Sequence, residues 1–366
     1  MAKNQDAGYI HSFPSVRGMQ GGEPFYISMC PARVIPKIFS FDEDEVPPQL
    51  RAQRTLNRAR IPEIANYLID NPDSYILSAL TASIDARVSF TAISESGPEA
   101  NMGMLSIPMD AQILINDGQH RRAAIEEAIK ERPELGQENV PILFFIDQGL
   151  KRSQQMFADL NKYAIRPSTS LSTLYDQRDP SSEVARHIAM SVEPYVRLTE
   201  LEKSSLSKTS FKIFTLSSIK HATRSLLQKG AKEEISDQER DLAAEFWKEV
   251  ALNMPDWKLA LERKVNPSEL RQDFIHAHGV FLSALGITGA HLLATDPKGW
   301  KRHLKKLSTM DWNRSSVELW EGRAMVHGRI SKARTNILLT SNVIKKALDL
   351  ELTGEEQQLE TDFNER

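Results

Sequence analysis

Three apolar β-formers, Ile113, Leu114 and Ile115, run into Asn116, Asp117 and Gly118, after which Ala124, Ile125, Ala128 and Ile129 recur at helical spacing. An apolar run closed by turn residues predicts a strand, and recurrence at i, i+4 predicts a helix, so this stretch reads as strand, tight turn, helix. Upstream, residues 1–12 carry no regular pattern and residues 18–24 are rich in turn formers. Residues 25–30 then read as a strand closed by Pro31, and residues 34–41 as a second apolar run. Residues 61–69 predict an amphipathic helix ended near Asn71 and Pro72, and residues 75–90 predict one or two strands. Downstream, residues 140–146 predict a buried strand. Residues 149–162 predict a helix with Met156, Phe157 and Leu160 inward, before Arg166 and Pro167 break the pattern.

Beyond Pro167 the strand signal fades and helical periodicity takes over. Phe211, Ile213, Phe214, Leu216, Ile219, Leu226 and Leu227 supply an apolar face within residues 202–233. The expected architecture is an α/β (α+β) N-terminal domain with a mixed sheet, followed by a mainly α-helical C-terminal domain. The expected division is a flexible arm over 1–22, the sheet domain over 23–167, the helical domain over 168–353 and an acidic tail over 354–366.

Charge changes this picture more than composition does. The 366 residues carry a net charge of −3, and their hydrophobic and charged fractions are those of an ordinary globular chain. Residues 349–366, however, hold seven acids against one base, so the remainder is slightly positive. Its cations are gathered. Arg51, Arg54, Arg58 and Arg60 lie in a stretch with no acid between Glu45 and Glu63, and the first three share one face of any helix formed there. Lys203, Lys208, Lys212, Lys220, Arg224, Lys229 and Lys232 lie between Glu202 and Glu233, again without an acid. A solvated face normally mixes signs, so a single-sign run with an apolar side predicts contact with a phosphate backbone. A second acid-free stretch runs over 322–348 and holds Arg323, Arg329, Lys332, Arg334, Lys345 and Lys346. The acidic tail is expected to be frayed, with solubility as its usual role and shielding of a basic groove as the rarer one.

The turn at Gly118 carries its own chemistry. A helix N-terminus presents free N–H donors and partial positive charge, and here His120, Arg121 and Arg122 crowd the first turn. As an enzyme site, Asp117 would hold a metal or act as a base, His120 would move a proton, and Arg121 and Arg122 would grip phosphates. As a binding site, Asp117, Gly118, Gln119, His120, Arg121 and Arg122 would hold a nucleotide or DNA phosphate without reaction. Binding needs fewer assumptions.

Asp117, Gly118, Gln119, His120 and Arg121 spell DGQHR, and with them the chain resembles the DndB family of bacterial DNA sulfur-modification (phosphorothioation) clusters. The resemblance includes Pro48 to Arg54 and the run from Arg60 to Leu68, and it extends from about residue 13 into the C-terminal helices. At greater distance, strand, Gly-X-X-Arg and helix resemble the box of ParB-like domains, and the segment from Val140 to Asn161 follows the ParB order of strand, helix and Asn. The resemblance implies a ParB/sulfiredoxin-like first domain, with Asn161 joining the phosphate-binding set. Gln119 and His120 stand where ParB carries an acidic residue, which weighs against nucleotide hydrolysis. What the family implies is a repressor that binds promoter DNA of its own sulfur-modification genes. Double-stranded DNA, other proteins of the cluster and a second copy of the chain are the implied partners. A ParB-like nucleotide-hydrolysing or DNA-nicking enzyme is the alternative. No cofactor is required, and a nucleotide is the one that would fit.

Other chemistry is thinner. One cysteine, Cys30, permits no internal disulfide and no Cys-based zinc site, which suits a reducing cytoplasm. It reads either as a small buried hydrophobe or as a redox-sensitive thiol near the first basic stretch. His276 and His278 are spaced i, i+2 and do not share a helix face, so no metal site is expected. Gly286, Ile287, Thr288 and Gly289 lack the trailing Gly-Lys-Ser/Thr of a phosphate loop and read as a turn between two helices. No run reaches membrane-spanning length.

Overall fold

A computed structural model describes residues 9–39, 58–148, 152–162 and 167–365. The chain divides into two compact units, Met1–Ile165 and Arg166–Arg366.

The first unit is built on a seven-stranded mixed sheet. Its strands are β1 (Ile10–Gln20), β2 (Glu23–Pro31), β3 (Leu80–Asp85), β4 (Ser89–Ala92), β5 (Met102–Pro108), β6 (Gln112–Asp117) and β7 (Asn139–Ile146), in the order β4-β5-β1-β2-β7-β3-β6. The β3–β7 pair is parallel, and every other pair is antiparallel. Alternation sorts the side chains: Phe13, Tyr26, Leu105, Ile142 and Phe144 point to a core, while Val16, Ile27, Met29 and Met104 stay exposed on the other face. The core is closed by helices α1 (Ile35–Ile38), α2 (Arg60–Asp70) and α3 (Gln119–Glu131), through Ile35, Ile61, Ala65, Leu68, Ala124, Ile125 and Ala128. A fourth helix, α4 (Ser153–Lys162), contacts β6.

Several expectations are corrected here. Residues 10–20, expected to belong to a flexible arm, form β1, which is paired along both edges by β2 and β5. Its only buried residues are Phe13 and Ser15, too few to announce a strand without the neighbours that pair with it. The apolar run at 34–41 contains the helical turn α1, which Pro36 can open because its missing N–H is not needed there. Leu160, expected inward, is 42% exposed.

The second unit is helical. Its longer helices are α5 (Pro180–Ser191), α6 (Leu216–Leu227), α7 (Asp237–Leu252), α8 (Gly279–Thr295), α9 (Arg334–Ala347) and α10 (Gly354–Asn364). Helix α8 is apolar on nearly every side and therefore sits at the centre, against α6 and α9. Gly286 and Gly289 lie inside it rather than at a turn. A Cβ on Gly286 would strike the Ala222 carbonyl of α6, and one on Gly289 would overlap Leu226 and Phe246. They are glycines because two helices cross closely, a reason no local pattern shows. Tyr195, Phe214, Trp257 and Phe281 stack edge-on around the same core. Phe211, expected to join it, is 73% exposed.

Residues 354–364 are not a frayed tail. Thr353 and Glu356 form a capping box that starts α10, and this helix lays its acids against the basic stretch that precedes it.

Candidate nucleic-acid interface

Strand β6 delivers Asp117 to Gly118, whose φ of 104° lies in the region that glycine alone enters freely. The chain turns there, and the Arg122 N–H donates to the Gly118 carbonyl at 2.9 Å to begin α3. A Cβ at Gly118 would also overlap the Leu80 side chain. Behind the turn, buried Asn116 donates to Ser83 Oγ at 2.6 Å and accepts from Ser153 Oγ at 2.7 Å, tying β6 to β3 and α4.

The two arginines of the turn are occupied by the chain itself. Arg121 pairs with Asp117 at 2.7 Å and donates to the carbonyls of Ser78 at 2.7 Å and Ala79 at 3.0 Å, and to the Ser78 hydroxyl. Arg122 pairs with Glu126 at 2.7 Å and donates to the Pro36 carbonyl at 2.9 Å. A phosphate gripped here would first have to break these bonds, so both guanidinium groups serve as staples. They fasten the turn to the approach to β3 and to α1. Gln119 is buried with its Nε2 unpartnered among the described residues. His120 is half-buried, and its pKa is lowered by burial and then by the nearby charge of Arg60. Arg58 and Arg60 are exposed at the start of α2, which packs beside α3. The positive charge beside the turn is therefore that of Arg60, with Arg58 exposed two residues before it, rather than that of Arg121 and Arg122. Arg51 and Arg54 lie outside the described residues. Asn161 falls in the last turn of α4. Among the described residues no group of His, Cys, Asp and Glu could hold a metal ion.

In the second unit, folding divides the acid-free run. Lys208 is exposed, and Lys212 donates to the Arg197 carbonyl at 2.7 Å. Lys220 is neutralised by Asp179, an acid from the N-cap of α5. Lys229 pairs with Glu239 at 2.9 Å and Glu233 at 3.5 Å. The exterior is thus not wholly cationic, as expected from the run alone, because the acids arrive from outside it. Arg224 differs, since its Nε is buried with no partner among the described residues and it lines a concavity. The second basic stretch meets α10: Glu360 takes Arg323 at 2.7 Å and Lys346 at 2.8 Å, and Glu356 takes Lys345 at 2.5 Å. In its middle, Lys332 and Arg334 form no ion pair among the described residues and line the same concavity as Arg224. These two were not among the expected site residues, although the second acid-free stretch was the signal for them.

Cys30 is fully buried in the first core, and burial pushes its thiol up to about 12. His276 is buried, accepts from Trp257 Nε1 at 3.1 Å and bonds Asp256 at 3.0 Å, which places it in the core. No helix among the described residues is long and apolar enough to cross a membrane.

Fold and surface together define a two-unit protein, a mixed α/β sheet unit and a helical unit, each with cations that form no ion pair among the described residues. The chain belongs to the DndB family, described as DNA-sulfur modification-associated, whose profile matches residues 13–351. Membership gives it a part in DNA sulfur modification. No curated protein and no solved structure matches it.

Proposed function

We propose that this protein is a DNA-binding regulator that represses a DNA sulfur-modification gene cluster by occupying its promoter. The supporting observation is the exposed basic corner of Arg58 and Arg60 beside the His120 turn, in a family tied to DNA sulfur chemistry. Two exposed guanidinium groups at a helix start are suited to duplex phosphates, and Lys208 offers a third cation in the other unit. Arg121 and Arg122 act one step back by holding the turn that presents this corner. The reading needs no turnover at Asp117, whose carboxylate is engaged by Arg121.

Footprinting the purified protein on DNA upstream of its own gene cluster tests the proposal. A protected site that weakens when Arg58 and Arg60 are replaced by Ala supports it, and absence of duplex binding in dilute buffer defeats it. A footprint with two-fold symmetry would add a second copy of the chain as partner. Co-purification from nuclease-treated lysate reports on other proteins of the cluster.

A further inference from the structure

The concavity lined by Arg224, Lys332 and Arg334 has about 850 Å³ of space, within the range of small-molecule sites. It lies where the N-terminal ends of three helices meet: Ser217 and Ser218 of α6, Gly279 and Ser283 of α8, and Arg334 of α9 all line it. His221 and the hydroxyls of Thr169, Ser204 and Ser225 add further hydrogen-bonding groups, and Ile287, Ile337 and Leu338 form an apolar part. Among the described residues no carboxylate lines it, and of its Lys and Arg residues only Lys229 is paired with acids.

Three features make this arrangement unfavourable when the space holds only water. The buried Nε of Arg224 has no acceptor among the described residues, and an unmet buried donor costs about 1–3 kcal/mol. The Lys332 ammonium lies 2.6 Å from where a Cβ on Gly279 would stand, so Gly279 makes room for a cation against the start of a 17-residue helix. That end of a helix carries positive potential and disfavours a cation unless an anion lies between them. Finally, burial lowers the pKa of His221, and the charges of Lys220, Arg224 and Lys332 lower it further, as mutual repulsion among these groups requires. An oxyanion relieves all three at once: it accepts from Arg224, separates Lys332 from the helix start and offsets the crowded charge.

We propose that this concavity binds a phosphorylated small molecule of nucleotide size, held through its phosphates by Arg224, Lys332 and Arg334, with its organic part against Ile287, Ile337 and Leu338. Arg224 is then a ligand-binding residue rather than a duplex contact. The proposal does not depend on the DNA corner of the first unit.

Calorimetric titration of the full-length protein with ATP, pyrophosphate and adenosine tests the site, with a short DNA duplex as a separate titrant. ATP is expected to bind saturably at one site, pyrophosphate more weakly, and adenosine not at all. Arg224→Gln and Lys332→Gln should each weaken ATP binding at least tenfold, while Lys248→Gln, an exposed position outside the lining, should leave it unchanged. Lys332 is exposed and forms no ion pair among the described residues, so its variant reports on binding even if Arg224→Gln fails to fold. Duplex affinity that is unaffected by Lys332→Gln supports a free phosphorylated ligand. A loss of duplex affinity matching the loss of ATP, with the duplex displacing ATP, would make the cavity a DNA contact and overturn the proposal. Absence of saturable ATP and pyrophosphate binding at millimolar concentration would overturn it as well.

Discussion

Arg323 and Glu360 form a two-pronged ion pair, Nη1 to Oε1 at 2.7 Å and Nη2 to Oε2 at 3.0 Å, between side chains only 11% and 8% exposed. The Phe363 ring lies 4.4 Å from the same guanidinium, so α10 covers Arg323 with both charge and an aromatic face. Glu360 also accepts from Lys346 at 2.8 Å and from Asn342 at 3.0 Å. Replacing it by Gln leaves two cations facing a neutral amide. Breaking a buried pair from one side costs about 3 kcal/mol, to be read as a lowered urea midpoint with an unchanged slope. The pH dependence has a defined sign. Burial works to raise the Glu360 carboxyl, but the hydrogen bonds from Arg323, Lys346 and Asn342 outweigh it and hold the pKa at about 2, below the ordinary 4.5. The carboxylate therefore stabilises the fold above about pH 4.5, and that contribution is lost as pH falls from there toward 2. Glu360→Gln should show a shallower acid-induced loss of stability than the parent.

Arg121 is expected to matter for stability before it matters for any chemistry. Arg121→Lys keeps a charge for Asp117 but cannot also reach the carbonyls of Ser78 and Ala79, so it should lower stability by about 1–3 kcal/mol. Gly118→Ala should lower it similarly, because the residue would sit at φ 104° with its methyl group against Leu80. Thermal melting checks both. An Arg121→Ala protein that melted like the parent yet lost nucleotide binding would contradict the staple role.

Cations already neutralised inside the chain should not count in the salt dependence of DNA binding. Arg58→Ala and Arg60→Ala should each flatten the slope of log affinity against log salt by roughly one unit. Lys220→Gln should leave the slope unchanged, because Asp179 already holds that charge. Fluorescence anisotropy across a salt series measures the three slopes. Equal flattening by all three would mean that the ion pair opens on binding.

Cys30 should be unreactive in the native protein. With its thiol pushed up to about 12 by burial, almost none is thiolate near neutral pH, and the thiolate is the reactive form. Iodoacetamide labelling should proceed only as fast as the protein unfolds. Rapid labelling of the folded chain would restore the redox reading.

The strand, turn and helix around Gly118 were legible in the sequence because their causes are local. An apolar run, a turn triplet and one glycine permit little else within about twenty residues. The buried strand at 140–146 and the change to helices after Pro167 were legible for the same reason. By contrast, β1 owes its place to β2 and β5, and the glycines of α8 owe theirs to Ala222, Leu226 and Phe246, partners remote in the chain.

The distribution of charge divides in the same way. Sequence alone determined that cations gather in acid-free runs, since that is a matter of neighbours along the chain. Only the tertiary structure decided which of them are paired: Asp179 reaches Lys220, Glu360 reaches Arg323 and Lys346, and among the described residues no acid reaches Arg224, Lys332 or Arg334. Coulomb attraction acts over a few ångströms of space, whatever the number of residues between the partners.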